Sequence, residues 1–262
     1  MKYHNMVETI INATGFDGGT AIVLGSGLGE FADQLEEKKL IAYDKIAGYP
    51  ISTVPGHAGE FVSGKLSGQL ILAAKGRFHF YEGYKWDTVV LPIKLFHQLN
   101  VKTVILTNSS GSMRTSINPG SLVLIKGYMD CTFRENPKDP KIVSIEQNFN
   151  PNLKHVSENA SADDIHLKEG IYCWTLGPMY ETPAEISYFR SLGGDVVGMS
   201  TVPEIIEAKK LGMNVLGISC ATNYAAGMSD TPLNHEEVLE TAEKTKGDFI
   251  KLLKIVIKNI ED

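Results

Sequence analysis

The stretch GPMYETPAEISYFRSLGGDVVGMSTVPEIIEAKKLGMNVLGISCATN, from Gly177 to Asn223, decides how the chain is read. Two helix starts inside it follow one rule. Thr182-Pro183-Ala184-Glu185 and Thr201-Val202-Pro203-Glu204 each set a Thr three residues before a Glu with Pro in the first turn, the pattern of a capping box. Both predicted helices end at a Leu-Gly, Leu192-Gly193 and Leu211-Gly212, because glycine takes the left-handed conformation that closes a helix without strain. Short apolar runs follow, Asp195 to Gly198 and Asn214 to Ser219. They are too short for helices and rich in Val and Ile, so they read as buried parallel strands. Ligands of open α/β sheets bind at strand ends, which makes Met199-Ser200-Thr201 and Ala221-Thr222-Asn223 candidate site positions. Capping and turn chemistry explain the Gly, Pro and Thr residues but not Glu181 or Asn223.

Upstream, the apolar positions Met6, Val7, Ile10 and Ile11 predict an N-terminal helix closed by the glycines from Gly15 to Gly19. A strand over Thr20 to Leu24 runs into Gly25-Ser26-Gly27-Leu28-Gly29 and a predicted helix from Glu30 to Glu37. A glycine-rich loop at a helix start is either a tight turn or an anion site. Glu30 stands where a dinucleotide fingerprint requires glycine, which disfavours that cofactor. His57 lies in a Gly- and Pro-dense loop, where it is either a solvated polar residue or a functional one. Phe61 to Ala74 reads as a hairpin turning at Ser67-Gly68. In KGRFHFYEGY, Lys75 to Tyr84, alternation puts Arg77, His79 and Tyr81 on one side and Phe78 and Phe80 on the other. That face is either a phosphate grip, to which a guanidinium fork is suited, or a polar strand face with Arg77 paired to an acid.

Further on, Trp86 to Leu99 predicts one amphipathic helix and Val101 to Leu106 a strand ending in the turn Thr107 to Ser112. Another strand spans Ser121 to Ile125. From Met129 to Lys168 the periodicity fails, predicting a long loop with one helix near Asn152 to Glu158. The last helix starts from Asn234.

With 43% apolar residues among 262, the chain can bury a full core as a single α/β domain spanning 1–262, a mixed central sheet flanked by helices. A net charge of −6 argues against nucleic acid or an anionic membrane as partner, since both are held by clustered Lys and Arg. Cys131, Cys173 and Cys220 lack the spacing of a disulfide framework or zinc site, which fits a reducing cytoplasm. No apolar run approaches membrane-spanning length, and the N-terminus lacks a secretory pattern.

Five blocks in one order, VLGSGLG, VPGHAGEF, GRFHFYEGY, GPMYETPAEI and VGMSTVPEIIEAKKLGMNVLGISCATN, resemble the trimeric purine nucleoside phosphorylases. The resemblance implies phosphorolysis of a purine nucleoside to free base and ribose 1-phosphate, with phosphate as co-substrate and neither metal nor cofactor. It implies that Ser26, His57, Arg77, His79, Ser109 and Ser200 hold phosphate. Tyr81, Met199 and His235 line the ribose, and Tyr180, Glu181 and Asn223 meet the purine. His79, Glu181 and Asn223 are the implied catalytic residues.

A Glu181 carboxylate accepts from the N1 and 2-amino protons of guanine but is left unpaired by adenine, which predicts 6-oxopurine specificity for inosine, guanosine and their 2′-deoxy forms. Relatives acting on methylthioadenosine carry Asp at the Asn223 position. A methylthioadenosine or xanthosine phosphorylase, and a non-catalytic nucleoside binder of the same fold, are the competing readings. Two features depart from the family. Asn108-Ser109-Ser110-Gly111-Ser112 replaces Asn-Ala-Ala-Gly-Gly, and the middle segment lacks the Arg-Phe-centred stretch through which a neighbouring subunit usually contributes a Phe. Phe149 stands as its substitute. The implied assembly is a homotrimer.

Overall fold

Strand β1 (Gly19–Leu24) is buried along nearly its whole length and pairs in parallel on both sides, with β4 (Gln69–Lys75) and β5 (Val101–Ser112). A strand whose run Ala21 to Leu24 is wholly apolar is suited to that place, since both of its faces are covered. The computed structural model describes residues 3–51, 53, 58–134, 138–145, 156, 160, 165, 167–229 and 235–260, leaving out the side chains of 235–237.

On one flank, β3 (Glu60–Leu66) joins β4 as the expected hairpin. Ser67 and Gly68, at φ 52 and 84, give the left-handed pair that matches strand twist. β2 (Glu36–Ala42) completes this edge, and its exposed Glu and Lys side chains discourage pairing with another chain. On the other flank, β10 (Asn214–Tyr224) runs parallel to β5. β6 (Leu122–Asp130) pairs antiparallel to β10, β8 (Leu167–Trp174) parallel to β6, and β9 (Val196–Gly198) parallel to β8 and antiparallel to β5. Five strands therefore close on themselves, while β1, β4, β3 and β2 extend as an open sheet; β7 (Val143–Ser144) pairs with β6.

Helices cover the sheet. α1 (His4–Thr14) ends at Gly15, whose φ of 69 is the expected left-handed cap. α4 (Pro183–Ser191) carries the predicted capping box, with the Thr182 N–H donating to Glu185 Oε2 at 2.7 Å and the Glu185 N–H to Thr182 Oγ1 at 3.3 Å. α6 (His235–Lys258) buries Val238, Ala242, Thr245, Phe249, Leu252 and Val256, one face at helical spacing, and packs on β10. Among the described residues no helix is long and apolar enough to cross a membrane. All three cysteines are free and buried.

Several expectations are corrected. The helix predicted over Glu30 to Glu37 is a six-residue 3-10 turn, Gly29–Gln34, because Glu36 onward pairs with β3; the helix-dipole argument for an anion there lapses. Trp86 to Leu99 is two helices, α2 (Trp86–Val89) and α3 (Leu91–Gln98), because Pro92 has no N–H to continue the first and sits instead in the opening turn of the second. Thr107 to Ser112 is no turn but the continuation of β5, its polar residues paired with β10 inside the closed ring. β6 likewise runs five residues past Ile125. Strand β8 drew no expectation. His57, Phe149, Asn234 and nearly all of the helix expected near Asn152 to Glu158 lie outside the described residues.

The second capping box is also overturned. Thr201, at φ 72 and ψ −46, makes no side-chain cap to α5 (Val202–Lys210), and Glu204 turns inward to a different partner.

Candidate active site

At the carboxyl ends of β1, β4, β5, β9 and β10 lies a cavity of about 430 Å³. Ten of the twelve expected site residues line it: Ser26, Arg77, His79, Tyr81, Ser109, Tyr180, Glu181, Met199, Ser200 and Asn223. His57 and the His235 side chain lie outside the described residues.

Gly25 fixes how close β1 comes to β5. A Cβ there would stand 2.9 Å from Asn108 Cα, so only glycine lets Ser26 and Ser109 meet, with Ser109 Oγ donating to the Ser26 carbonyl at 2.9 Å. After β4 the chain leaves the sheet, yet Arg77, His79 and Tyr81 still converge, the His79 and Tyr81 rings stacking at 4.6 Å.

Arg77 is 1% exposed and fully engaged on one edge. Its Nη2 meets Glu204 Oε2 at 2.9 Å and its Nε donates to Glu204 Oε1 at 3.3 Å. Nη1 donates to the Thr107 carbonyl at 2.5 Å and to Ser200 Oγ at 3.4 Å. The fork expected for an anion is thus shared with an internal carboxylate, and Nη1 is the edge nearest Ser200.

His79 leans on Glu82, Nδ1 to Oε1 at 3.1 Å, while its backbone N–H donates to the same oxygen at 2.8 Å. A carboxylate only accepts, so the neutral ring carries its proton on Nδ1. Burial pushes the imidazole pKa below its ordinary value, against the opposing pull of Glu82. For Glu82, burial pushes the carboxyl up, but hydrogen bonds from His79 and Thr53 together outweigh it and hold it at about 2. This end of the cavity therefore sets two carboxylates, Glu82 and Glu204, against one guanidinium.

At the other end, Glu181 accepts from Thr175 Oγ1 at 2.6 Å. Burial raises its pKa above the ordinary carboxylate value, and the Thr175 hydroxyl partly offsets this. Asn223 is 4% exposed; its Oδ1 accepts from Thr222 Oγ1 at 3.0 Å and its Nδ2 donates to the Tyr224 carbonyl at 2.9 Å. One Nδ2 proton is used there, and the amide is fixed with a second N–H. Sequence reasoning missed Glu82, Glu204 and Asn108, whereas Thr222 stands in the cavity wall at a strand end where a site was expected. The spacing of Glu82 three residues after His79 was a usable signal; Glu204 was hidden behind its resemblance to a capping residue.

Residues 20–258 match the family model of the phosphorylase superfamily. Purine nucleoside phosphorylase 1 of Geobacillus stearothermophilus is 42% identical over 91% of this chain and 90% of its own. A Schistosoma mansoni purine nucleoside phosphorylase solved with inosine superposes with a TM-score of 0.87 at 30% identity, covering 99% of this chain and 96% of that one. The Schistosoma mansoni enzyme solved with adenosine gives 0.87 at 31%, covering 100% and 98%. The chain belongs to the phosphorylase superfamily, on the branch of the purine nucleoside phosphorylases.

Proposed function

We propose that the protein is a purine nucleoside phosphorylase acting on inosine, guanosine and their 2′-deoxy forms, giving free base and (deoxy)ribose 1-phosphate. The observation that carries this is one cavity with an accepting carboxylate and a donating amide, Glu181 and Asn223, at one end and Arg77, His79, Ser109 and Ser200 at the other. A phosphate oxygen bonds to C1′ as the bond from C1′ to N9 breaks, and the electron pair leaves on the purine. Positive charge grows on the sugar beside phosphate, and negative charge on the base beside the Asn223 amide, whose fixed N–H stabilises it without reorganisation. Tyr81, Met199 and His235 contact the ribose, Tyr180 covers the base, and His57 closes on phosphate alongside Ser26. The reaction needs no cofactor beyond phosphate. A single domain over 1–262, a homotrimer and a cytoplasmic location complete the reading, with a purine nucleoside and phosphate as the only other partners.

The test is release of free base from inosine, guanosine, adenosine and methylthioadenosine, with and without phosphate. Because a neighbour of this fold is known with adenosine, turnover rather than binding decides. Phosphate-dependent cleavage of inosine and guanosine with little from adenosine is expected. Preference for adenosine contradicts the role given to Glu181, and binding without turnover contradicts the enzyme reading.

A further inference from the structure

We propose that Thr201, held by Asn108, is a positioning residue that turns the Ser200 hydroxyl into a proton donor aimed into the cavity, ready for a phosphate oxygen. The identity of that anion rests on the phosphorolysis reading; the wiring rests on the geometry below.

The Val202 N–H donates to the Ser200 carbonyl at 2.8 Å across Thr201. With Thr201 at φ 72 and ψ −46 this is a γ-turn of the rare, strained kind, here carried by a β-branched residue that is 1% exposed. Thr182 opens α4 from an ordinary extended conformation, φ −76 and ψ 157, so helix initiation does not require such a turn. Strain of this sort persists where surrounding bonds over-determine it. Those bonds are to the Thr201 side chain: Asn108 Nδ2 donates to its Oγ1 at 2.9 Å, and Ser200 Oγ lies 3.1 Å away.

Proton accounting gives the direction. Thr201 Oγ1 accepts from Asn108, so its own buried proton needs an acceptor, and among the described residues that is Ser200 Oγ. Arg77 Nη1 also donates to Ser200 Oγ, at 3.4 Å. The Ser200 backbone N–H donates to the Tyr172 phenol oxygen at 3.4 Å, which fixes the residue from its other side, so Thr201 and Arg77 are the two donors to the Ser200 hydroxyl. Donors therefore occupy the lone pairs of the Ser200 oxygen, and its proton faces the cavity that Ser200 lines. Asn108 sets the polarity, because its Oδ1 accepts from Ser219 Oγ at 2.6 Å, which lies 2.6 Å from Ser110 Oγ. A reversed amide would draw the Thr201 proton to itself, let Ser200 donate back to Thr201, and turn lone pairs towards the anion. With Arg77 neutralised by Glu204, neutral donors whose direction is preset carry much of the anion's recognition.

The experiment compares wild type, Thr201→Val, Thr201→Ser and Asn108→Asp by calorimetric titration with inorganic phosphate, and by KM for phosphate and for inosine. Val keeps the branched shape and loses the proton; Asp accepts from Thr201 and so imposes the reversed polarity. Phosphate affinity is expected to fall about tenfold or more in Thr201→Val and Asn108→Asp, in line with loss of one charge-assisted hydrogen bond, and to be rescued in Thr201→Ser, with the KM for inosine changed far less. Unchanged phosphate affinity in Thr201→Val overturns the proposal, as does a Ser variant as weak as Val, or equal losses for phosphate and inosine. Should Thr201→Val fail to fold, Asn108→Asp decides by the same criteria. Wild type that binds phosphate without cleaving inosine would count against the enzyme reading and leave the titration to judge the wiring.

Discussion

Removing the partner of Arg77 should destabilise the protein severely, and removing both partners should not. The Arg77 and Glu204 side chains are each 2% exposed and 2.9 Å apart. At an effective dielectric of 20 that separation corresponds to ~6 kcal/mol of Coulomb attraction, most of which offsets the cost of taking two charges out of water. Little net stability is therefore expected from the pair as a whole. In Glu204→Leu, however, the guanidinium stays buried with its counter-ion gone, and a loss of about 3–5 kcal/mol follows. The double variant Arg77→Met, Glu204→Leu replaces both by apolar groups and should recover most of that loss while remaining inactive with phosphate. Urea unfolding followed by circular dichroism reads this as a shift of midpoint at constant slope. A Glu204→Leu variant within about 1 kcal/mol of wild type, well short of the cost of an uncompensated buried charge, would refute the reasoning, and so would a double variant as unstable as the single.

Three further outcomes follow from the site. The kcat/KM for guanosine should fall with acid at a pH above the ordinary carboxylate range, since Glu181 must be ionised and burial raises its pKa; Thr175→Val removes a bond that favours the carboxylate and should move this limb to higher pH, whereas a downward shift would contradict it. Asn223→Ala should lower kcat by roughly 10²–10³, the usual consequence of deleting a preorganised donor at a developing anion, with circular dichroism unchanged. The depressed Glu82 pKa stabilises the fold above its ordinary value of 4.5 and loses that contribution as pH falls towards about 2; the stability gap between wild type and Glu82→Gln should therefore narrow across that window, and a widening gap would oppose the assignment.

What could be read from the sequence was what local chemistry dictates. Gly15, the Ser67-Gly68 turn and the Thr182 box are where they were expected, because a left-handed glycine or a capping pair depends on a few neighbouring residues. The errors arose where distant partners overrule local pattern. Thr201-Val202-Pro203-Glu204 has the capping signature, but a buried guanidinium 127 residues away in sequence claims the Glu204 carboxylate. Thr107 to Ser112 looks like a polar turn, yet β10 supplies every residue of it with a ladder partner, so small hydroxyl residues are built into a closed ring. Arg77, His79 and Tyr81 converge as the alternation implied, although the chain there is not a strand; the stacking of two rings and the Glu82 carboxylate do what sheet pairing was expected to do.

The central claim, that the cavity transfers a pentosyl group to phosphate, is tested most directly by the sugar product. Purified protein incubated with inosine and inorganic phosphate, followed by phosphorus NMR, should yield ribose 1-phosphate in equal amount to hypoxanthine, and neither when phosphate is omitted. Free ribose at a rate indifferent to phosphate would contradict the account.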